Sequence, residues 1–544
     1  MSVRNAFVLL LALCALSFLA ACGGGGGTIT NPVPPPSGGF SNSDLNGTYV
    51  FSVSGTDAAG APYAIVGTFT ANGSGGITGG TLDINDADTT VFTTGPIAGT
   101  TIRSGGSYGV SVDGRGTAKL PTSTPFGTIQ LDFVLEDSSD GLVTEFDNNG
   151  TGSGTLDLQS SGTTPSGTYA FSFSGVAVAN NSTTSLAAAG NFTLGSGGAI
   201  SAGLEDLNGG GIPYPSNTLT GKVVLGPSTT PATTLSATGF QANAALTFDV
   251  YAIDATHLKF IETDAFATLS GDAYSQTTTT VPTGTLAFTL AGGVSGPIAV
   301  GGFIVTDGAG NITTASSEDV NNVGTVSASP LSFSGTYAAA GTGRSTLSLG
   351  GGFVGGSLYA AYPSSGGLLL IEIDGSGGMM AGAAYPQSST TFAASQGYGL
   401  NLSGQNGGAT TGSAAEVDDI AEFTAASSGA TVTGIIDENS AVPMQAFDVP
   451  LTGNYQAPDS NGRGLISATA ANNSTSTLNG ALNLTFYTVD GTTFPFIELD
   501  AGQVSTGVFV MQSTPGASAA IAKAHIMFVS HPLIRSHANR TKQK

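Results

Sequence analysis

The stretch 47-GTYVFSVSG-55 places Tyr49, Phe51 and Val53 on one face of an extended chain, with Thr48, Ser52 and Ser54 on the other. Apolar residues at a period of two describe a strand with one face in a core. The same pattern returns as 167-GTYAFSFSG-175, 284-GTLAFTLAG-292 and 397-GYGLNLSG-404. A strand recurring at such intervals marks an internal repeat.

The segments that follow repeat as well. They are GTFTANGSGGITGGTLDIN from Gly67, GNFTLGSGGAISAGLEDLN from Gly190, GGFIVTDGAGNITTASSEDVN from Gly301 and AEFTAASSGATVTGIIDEN from Ala421. Each reads as a strand, a Gly-rich hairpin turn and a second strand ending in an acidic residue and Asn. Later, each unit has a strand bearing Glu-x-Asp, at Glu145, Glu262, Glu372 and Glu498, and a last strand ending near Gln159, Gln276, Gln387 and Gln512. The repeats therefore span 44–160, 165–277, 282–390 and 391–515, with a signal at 1–21, a tether at 22–43 and a basic tail at 516–544.

About eight short strands per unit, joined mostly by tight turns, predict an all-β chain of four tandem antiparallel up-and-down barrels. Closure removes the exposed edges that four tandem sheets would present. The unit resembles the calycins, the lipocalin and avidin group, whose first strand begins Gly-x-Trp. Here it begins Gly-x-Tyr at Tyr49 and Tyr169, in a chain without tryptophan. Tandem immunoglobulin-like sandwiches are the alternative with a similar strand count.

At the start of the chain, Arg4 precedes an apolar run from Phe7 to Phe18 that is shorter than the roughly 20 residues of a membrane span and has the form of an export signal. It ends in Leu19-Ala20-Ala21-Cys22, which resembles the lipobox of bacterial lipoprotein precursors. That resemblance implies cleavage before Cys22 and acylation of its thiol and new amino group. Several acyl chains would anchor the protein stably, and the glycines and prolines after Cys22 form a tether. The implied partner is a membrane and the implied location the cell envelope, at the outer membrane or cell surface.

Composition narrows the function. The net charge is −23, with 13 Lys and Arg. Five of these lie beyond residue 520 and one in the signal, so the body lacks the basic clusters that nucleic acid requires. The two cysteines are Cys14, in the signal, and Cys22. The mature body thus has no thiol for a disulfide, a cluster or a nucleophile.

Candidate chemistry is sparse. Gly105-Gly106-Ser107-Tyr108-Gly109 fits G-x-S-x-G, but on a strand rather than a strand-turn-helix elbow. The body's histidine, His257, reads as a solvent-facing turn residue. His525, His531 and His537 recur at a spacing of six, which aligns no helix face. The acidic clusters around Asp83, Asp86 and Asp88, Glu205 and Asp206, Glu318 and Asp319, and Asp437 and Glu438 offer oxygen ligands for calcium, yet none has the spacing of a calcium loop and solvated loop charge is the default.

The recurring glutamates share a face with apolar neighbours and must find a donor or stay protonated. Arg115, Arg344 and Arg463 offer one candidate partner, so a structural ion pair or barrel-end cap is expected ahead of a paired-carboxylate acid/base site, with the four glutamates as structural or ligand carboxylates. No catalysis, cofactor or metal follows. The expected role is structural, adhesive or scaffolding, with an envelope protein or glycan as partner. The alternative is barrels that bind small apolar or glycan ligands; bulky rows such as Tyr49, Phe51 and Val53 fill a barrel, whereas the smaller Tyr398, Leu400 and Leu402 leave more space in the fourth.

Overall fold

The computed structural model describes residues 39–513, apart from 89–94, 161–164, 180–181, 225–231, 238–244, 294–295, 354–355, 376–377, 407–414, 441–444 and 471–480. Cys22, the tether and the basic tail lie outside the described residues. Nearly all of the described structure is antiparallel sheet, with two three-residue 3₁₀ turns at Asn42–Asp44 and Ser196–Gly198.

Four barrels follow one another along the chain. Barrel 1 runs from its first strand, Asn46–Asp57, to its last, Gly150–Leu158. Successive strands pair as hairpins, and the last returns to pair with the first, Phe51 opposite Leu156. Barrel 2 spans Gly167–Ala179 to Ala267–Ser275, barrel 3 Gly284–Gly292 to Met380–Pro386, and barrel 4 Gly397–Asn406 to Gln503–Met511. The second and fourth are uninterrupted eight-stranded rings. In the first and third, the fourth strand is broken into Ile97–Ile102 with Gly106–Val110, and Thr325–Val326 with Leu331–Ala339, and the ring still closes through its second half. Closure by first-to-last pairing excludes the sandwich alternative.

One glycine recurs at that closing seam. Gly154, Gly271, Gly382 and Gly507 sit opposite Val53, Phe173, Leu290 and Leu402. A Cβ at any of them would collide with a carbonyl of the first strand, Ser52, Ser172, Thr289 or Asn401. The close approach of two backbones fixes the residue type.

Inward side chains fill each ring. Barrel 1 encloses Tyr49, Phe51, Phe69, Leu131 and Phe133, and barrel 2 Tyr169, Phe171, Phe173, Phe248 and Phe260. Barrel 4 corrects the expectation of extra space. Its small first strand is compensated by Phe423, Phe486, Phe494, Phe496 and Phe509, with Phe392 stacked on Tyr398 at 5.0 Å. Volume missing on one strand is supplied by the others, as close packing demands.

Much of the outer face of the first three and last three strands is covered too. The first three strands of each barrel pack against the sixth to eighth strands of the next: barrel 1 on 2, 2 on 3, and 3 on 4. Barrel 4 then packs the same way on the sixth to eighth strands of barrel 1. A head-to-tail contact whose rotation closes gives a ring, and here the four members share one chain. Apolar clusters seal the contacts, Val50, Val66, Tyr251 and Ile261 between barrels 1 and 2, and Val134, Leu142, Ile420 and Val508 between 4 and 1.

Candidate functional site at the barrel junctions

The four recurring glutamates end the seventh strands, Asp140–Phe146, His257–Glu262, Gly367–Glu372 and Thr493–Glu498. Their apolar neighbours two residues earlier, Val143, Phe260, Leu370 and Phe496, belong to the barrel interiors, so each carboxyl points inward and all are at most 1% exposed. The expected arginine partners do not reach them. Tyr63 donates its hydroxyl to Glu145, Asn85 donates to Glu262 Oε2 at 2.6 Å, and Glu498 faces Ser505 and Gln503. Burial pushes Glu145 and Glu498 well above the usual carboxylate range, and burial with the neighbouring Asp264 pushes Glu262 up to about 11. Burial thus favours the neutral acid at these positions.

The aspartate two residues on has a different task. Asp147, Asp264, Asp374 and Asp500 accept the backbone N–H groups of Gln130, Thr247, Leu358 and Asn483, at 2.8, 2.7, 3.1 and 2.8 Å. These donors begin the sixth strands, so Glu-x-Asp ties the ends of two adjacent strands together.

The Asn that closes the third strand, in 83-DIN-85, 206-DLN-208, 319-DVN-321 and 437-DEN-439, reaches across to the next barrel. Asn85 donates to the Glu262 and Ala267 carbonyls at 2.8 and 2.9 Å. Asn208 does so to Glu372 and Gly378 at 3.0 and 3.1 Å, and Asn321 to Glu498 and Gln503 at 2.9 and 2.7 Å. Asn439 returns to barrel 1, donating to Glu145 and Gly150 at 2.7 and 2.9 Å. The terminal glutamines form a second such set. Gln159 binds Ala252 O, Gln276 binds Pro363 O, Gln387 binds Thr488 O and Gln512 binds Leu135 O, at 2.7 to 3.0 Å.

The arginines complete the pattern with the aspartate of Asp-x-Asn. Arg344 holds Asp206 through two nitrogens at 2.7 and 2.9 Å, and Arg463 holds Asp319 through two at 2.8 Å. Arg115 contacts Asp437 at 3.3 Å and Asp448 at 2.9 Å. Tyr362 and Tyr487 add their hydroxyls to Asp206 and Asp319. Asp83, Asp206, Asp319 and Asp437 are therefore buried in junctions, which overturns their reading as solvated loop charge.

His257 is also buried rather than a solvated turn residue. Its Nε2 lies 2.7 Å from Asp272, which also accepts from Lys259 at 3.1 Å, while Lys259 reaches Asp157 of barrel 1 at 3.3 Å. Lys259 and His257 hold the Asp272 carboxyl well below its ordinary range. Ser107 stands exposed on a strand. Among the described residues, no group of three His, Cys, Asp or Glu is placed to hold a metal ion. A cleft between barrels 1 and 2, bordered by Thr56, Tyr63, Ser174 and Thr268, has a volume of about 10 Å³, room for one water.

No family model and no curated protein matches the chain. Among solved structures, the isotype 1 transferrin binding protein B from serogroup B Neisseria meningitidis is 12% identical, with 68% of this chain and 84% of that one covered, at a TM-score of 0.20. A transferrin binding protein B double mutant from Haemophilus parasuis Hp5 is 9% identical over 71% and 85%, at 0.17. The P pilus usher (PapC) translocation pore is 10% identical over 86% and 98%, at 0.14. TM-scores of this size do not establish a shared architecture.

Proposed function

We propose that the protein is a lipid-anchored component of the cell envelope, held through Cys22 at the outer membrane or cell surface, whose ring of barrels is a non-catalytic scaffold or adhesin. The observation that carries this reading is the use made of the recurring polar residues. Asp-x-Asn, Glu-x-Asp, the terminal glutamine and the arginines are spent on joining strands and barrels, and the interiors are packed with aromatic and aliphatic side chains. A family of sites repeated to bind ligand would instead converge on space.

A partner, whether an envelope protein or a glycan, would meet the outer surface, where Ile212, Tyr214, Phe266 and Phe447 are exposed. The lipobox supports the anchor, and an acidic, thiol-free body suits an extracytoplasmic location. Cys22→Ser tests the address. The wild type is expected to fractionate with membranes as a shortened, acylated chain, and the variant to remain unprocessed and lack the acyl label. A variant still processed and acylated would reject the lipoprotein reading.

A further inference from the structure

Three junctions place an arginine on the aspartate of Asp-x-Asn: Arg344 on Asp206, Arg463 on Asp319 and Arg115 on Asp437. The junction of barrels 1 and 2 does not. Asp83 Oδ2 accepts the Tyr251 hydroxyl at 2.5 Å and its other oxygen accepts the Gly99 N–H. A second carboxyl, Asp249, stands within hydrogen-bonding reach of Asp83.

The fourth-to-first junction supplies the comparison. Asp132 of barrel 1 occupies the position of Asp249, two residues before Val134 where barrel 2 has Tyr251. It too faces an Asp-x-Asn aspartate, Asp437. There Arg115 supplies the neutralising charge. At the first junction Lys259 lies opposite Tyr251 on the adjoining strand, but its ammonium is engaged by Asp157 and Asp272, and His257 is engaged by Asp272. The sequence between the fourth and fifth strands of barrel 2, LGPSTTP at 225–231, contains no basic residue and lies outside the described residues.

We propose that the contact between barrels 1 and 2 is a proton-dependent seam of the ring: Asp83 and Asp249 hold the junction closed while they share a proton, and part when it is lost. Two facing carboxyls cannot both ionise at hydrogen-bonding distance without mutual repulsion, and the pair titrates as a unit. Burial, then the facing Asp83, pushes Asp249 up to about 7, and burial raises Asp83. A carboxyl whose folded value is raised stabilises the closed form at acid pH. That contribution is complete below the ordinary aspartate range and is lost as pH rises through about 7.

A chain expressed from residue 22 onward with Cys22→Ser has no thiol, so introduced cysteines can be spin-labelled site-specifically. Label pairs at the exposed Thr101 and Ala265 span the first junction, and pairs at Ala265 and Ser348 span the second. Electron-electron distances are measured at pH 5.5 and 8.5. The seam predicts a longer, broader distribution at pH 8.5 across the first junction, an unchanged one across the second, and loss of the response in Asp249→Asn, where an amide can donate to Asp83 at any pH. Asp83→Asn serves as an independent second variant. Equal responses at both junctions, no response at either, or a response retained in both variants would overturn the proposal.

Discussion

Asn439 donates its side-chain amide to the main-chain carbonyl of Glu145 at 2.7 Å, across a sequence separation of 294 residues. Asn85, Asn208 and Asn321 each make the equivalent bond to the following barrel. The bond that joins neighbours in sequence thus also joins the last barrel to the first.

Asn439→Ala should weaken that closing contact selectively. It leaves two buried carbonyls, those of Glu145 and Gly150, short of a donor, a cost of about 1–3 kcal/mol. The variant is expected to show faster amide exchange in Asp140–Phe146 than wild type, with the strands of the second junction unchanged.

Stability should fall as pH rises from 5 to 9. Glu262 is pushed up to about 11 and Asp86, Glu205 and Glu422 to about 8, each first by burial. Their folded forms bind the proton more tightly than the unfolded chain, so their contribution is full below the ordinary carboxylate range and declines above it. Thermal midpoints across this range check the sign, and Glu262→Gln should flatten the profile, since an amide mimics the neutral acid.

Arg344→Leu should cost about 3–5 kcal/mol, because it strands Asp206 as a buried charge. Adding Asp206→Asn should recover much of the loss, a coupling that a double-mutant cycle in denaturant would measure. Additive effects would mean the pair is not coupled.

Residues 44–160 produced alone should still close a barrel, because every strand of the ring lies within that span. Isolation uncovers Val50 and Val66 on one side and Val134 and Leu142 on the other. A cooperative melt well below that of the full chain is expected; a span with no cooperative transition would contradict autonomous repeats.

A circular permutant that joins residue 513 to residue 39 and opens the chain within 161–164 should assemble the same ring. Phe40 N bonds Val112 O at 3.0 Å and Gln512 Nε2 bonds Asp113 O at 2.8 Å, so both ends meet at one turn. Short linkers suffice for ends this close, and a midpoint matching that of the parent is the expected calorimetric result.

The strands and their repetition were legible in the sequence because apolar alternation is a local signal. Tyr49, Phe51 and Val53 announce an inward face whatever lies around them. The fate of the outward face is hidden for the same reason. His257–Glu262 is buried at every position, because what faces away from one barrel faces into another, and a period of two cannot distinguish water from a neighbouring wall. Position within the repeat points Arg344 at the glutamate of its own unit, yet its partner, Asp206, lies 138 residues earlier. The signal that could have found it was the recurrence of Asp-x-Asn and a terminal Gln in every unit, since residues that pair between repeats must themselves repeat.

Ring closure also changes what it means for one contact to fail. In an open row, a barrel that loses its neighbour drifts to the limit of its linker. Here the two faces of an opened junction stay tethered by the other three, so rejoining is an intramolecular event at a high effective concentration. Detaching a barrel requires two simultaneous breaks, and a seam that opens at one junction can therefore open and reseal without the assembly coming apart.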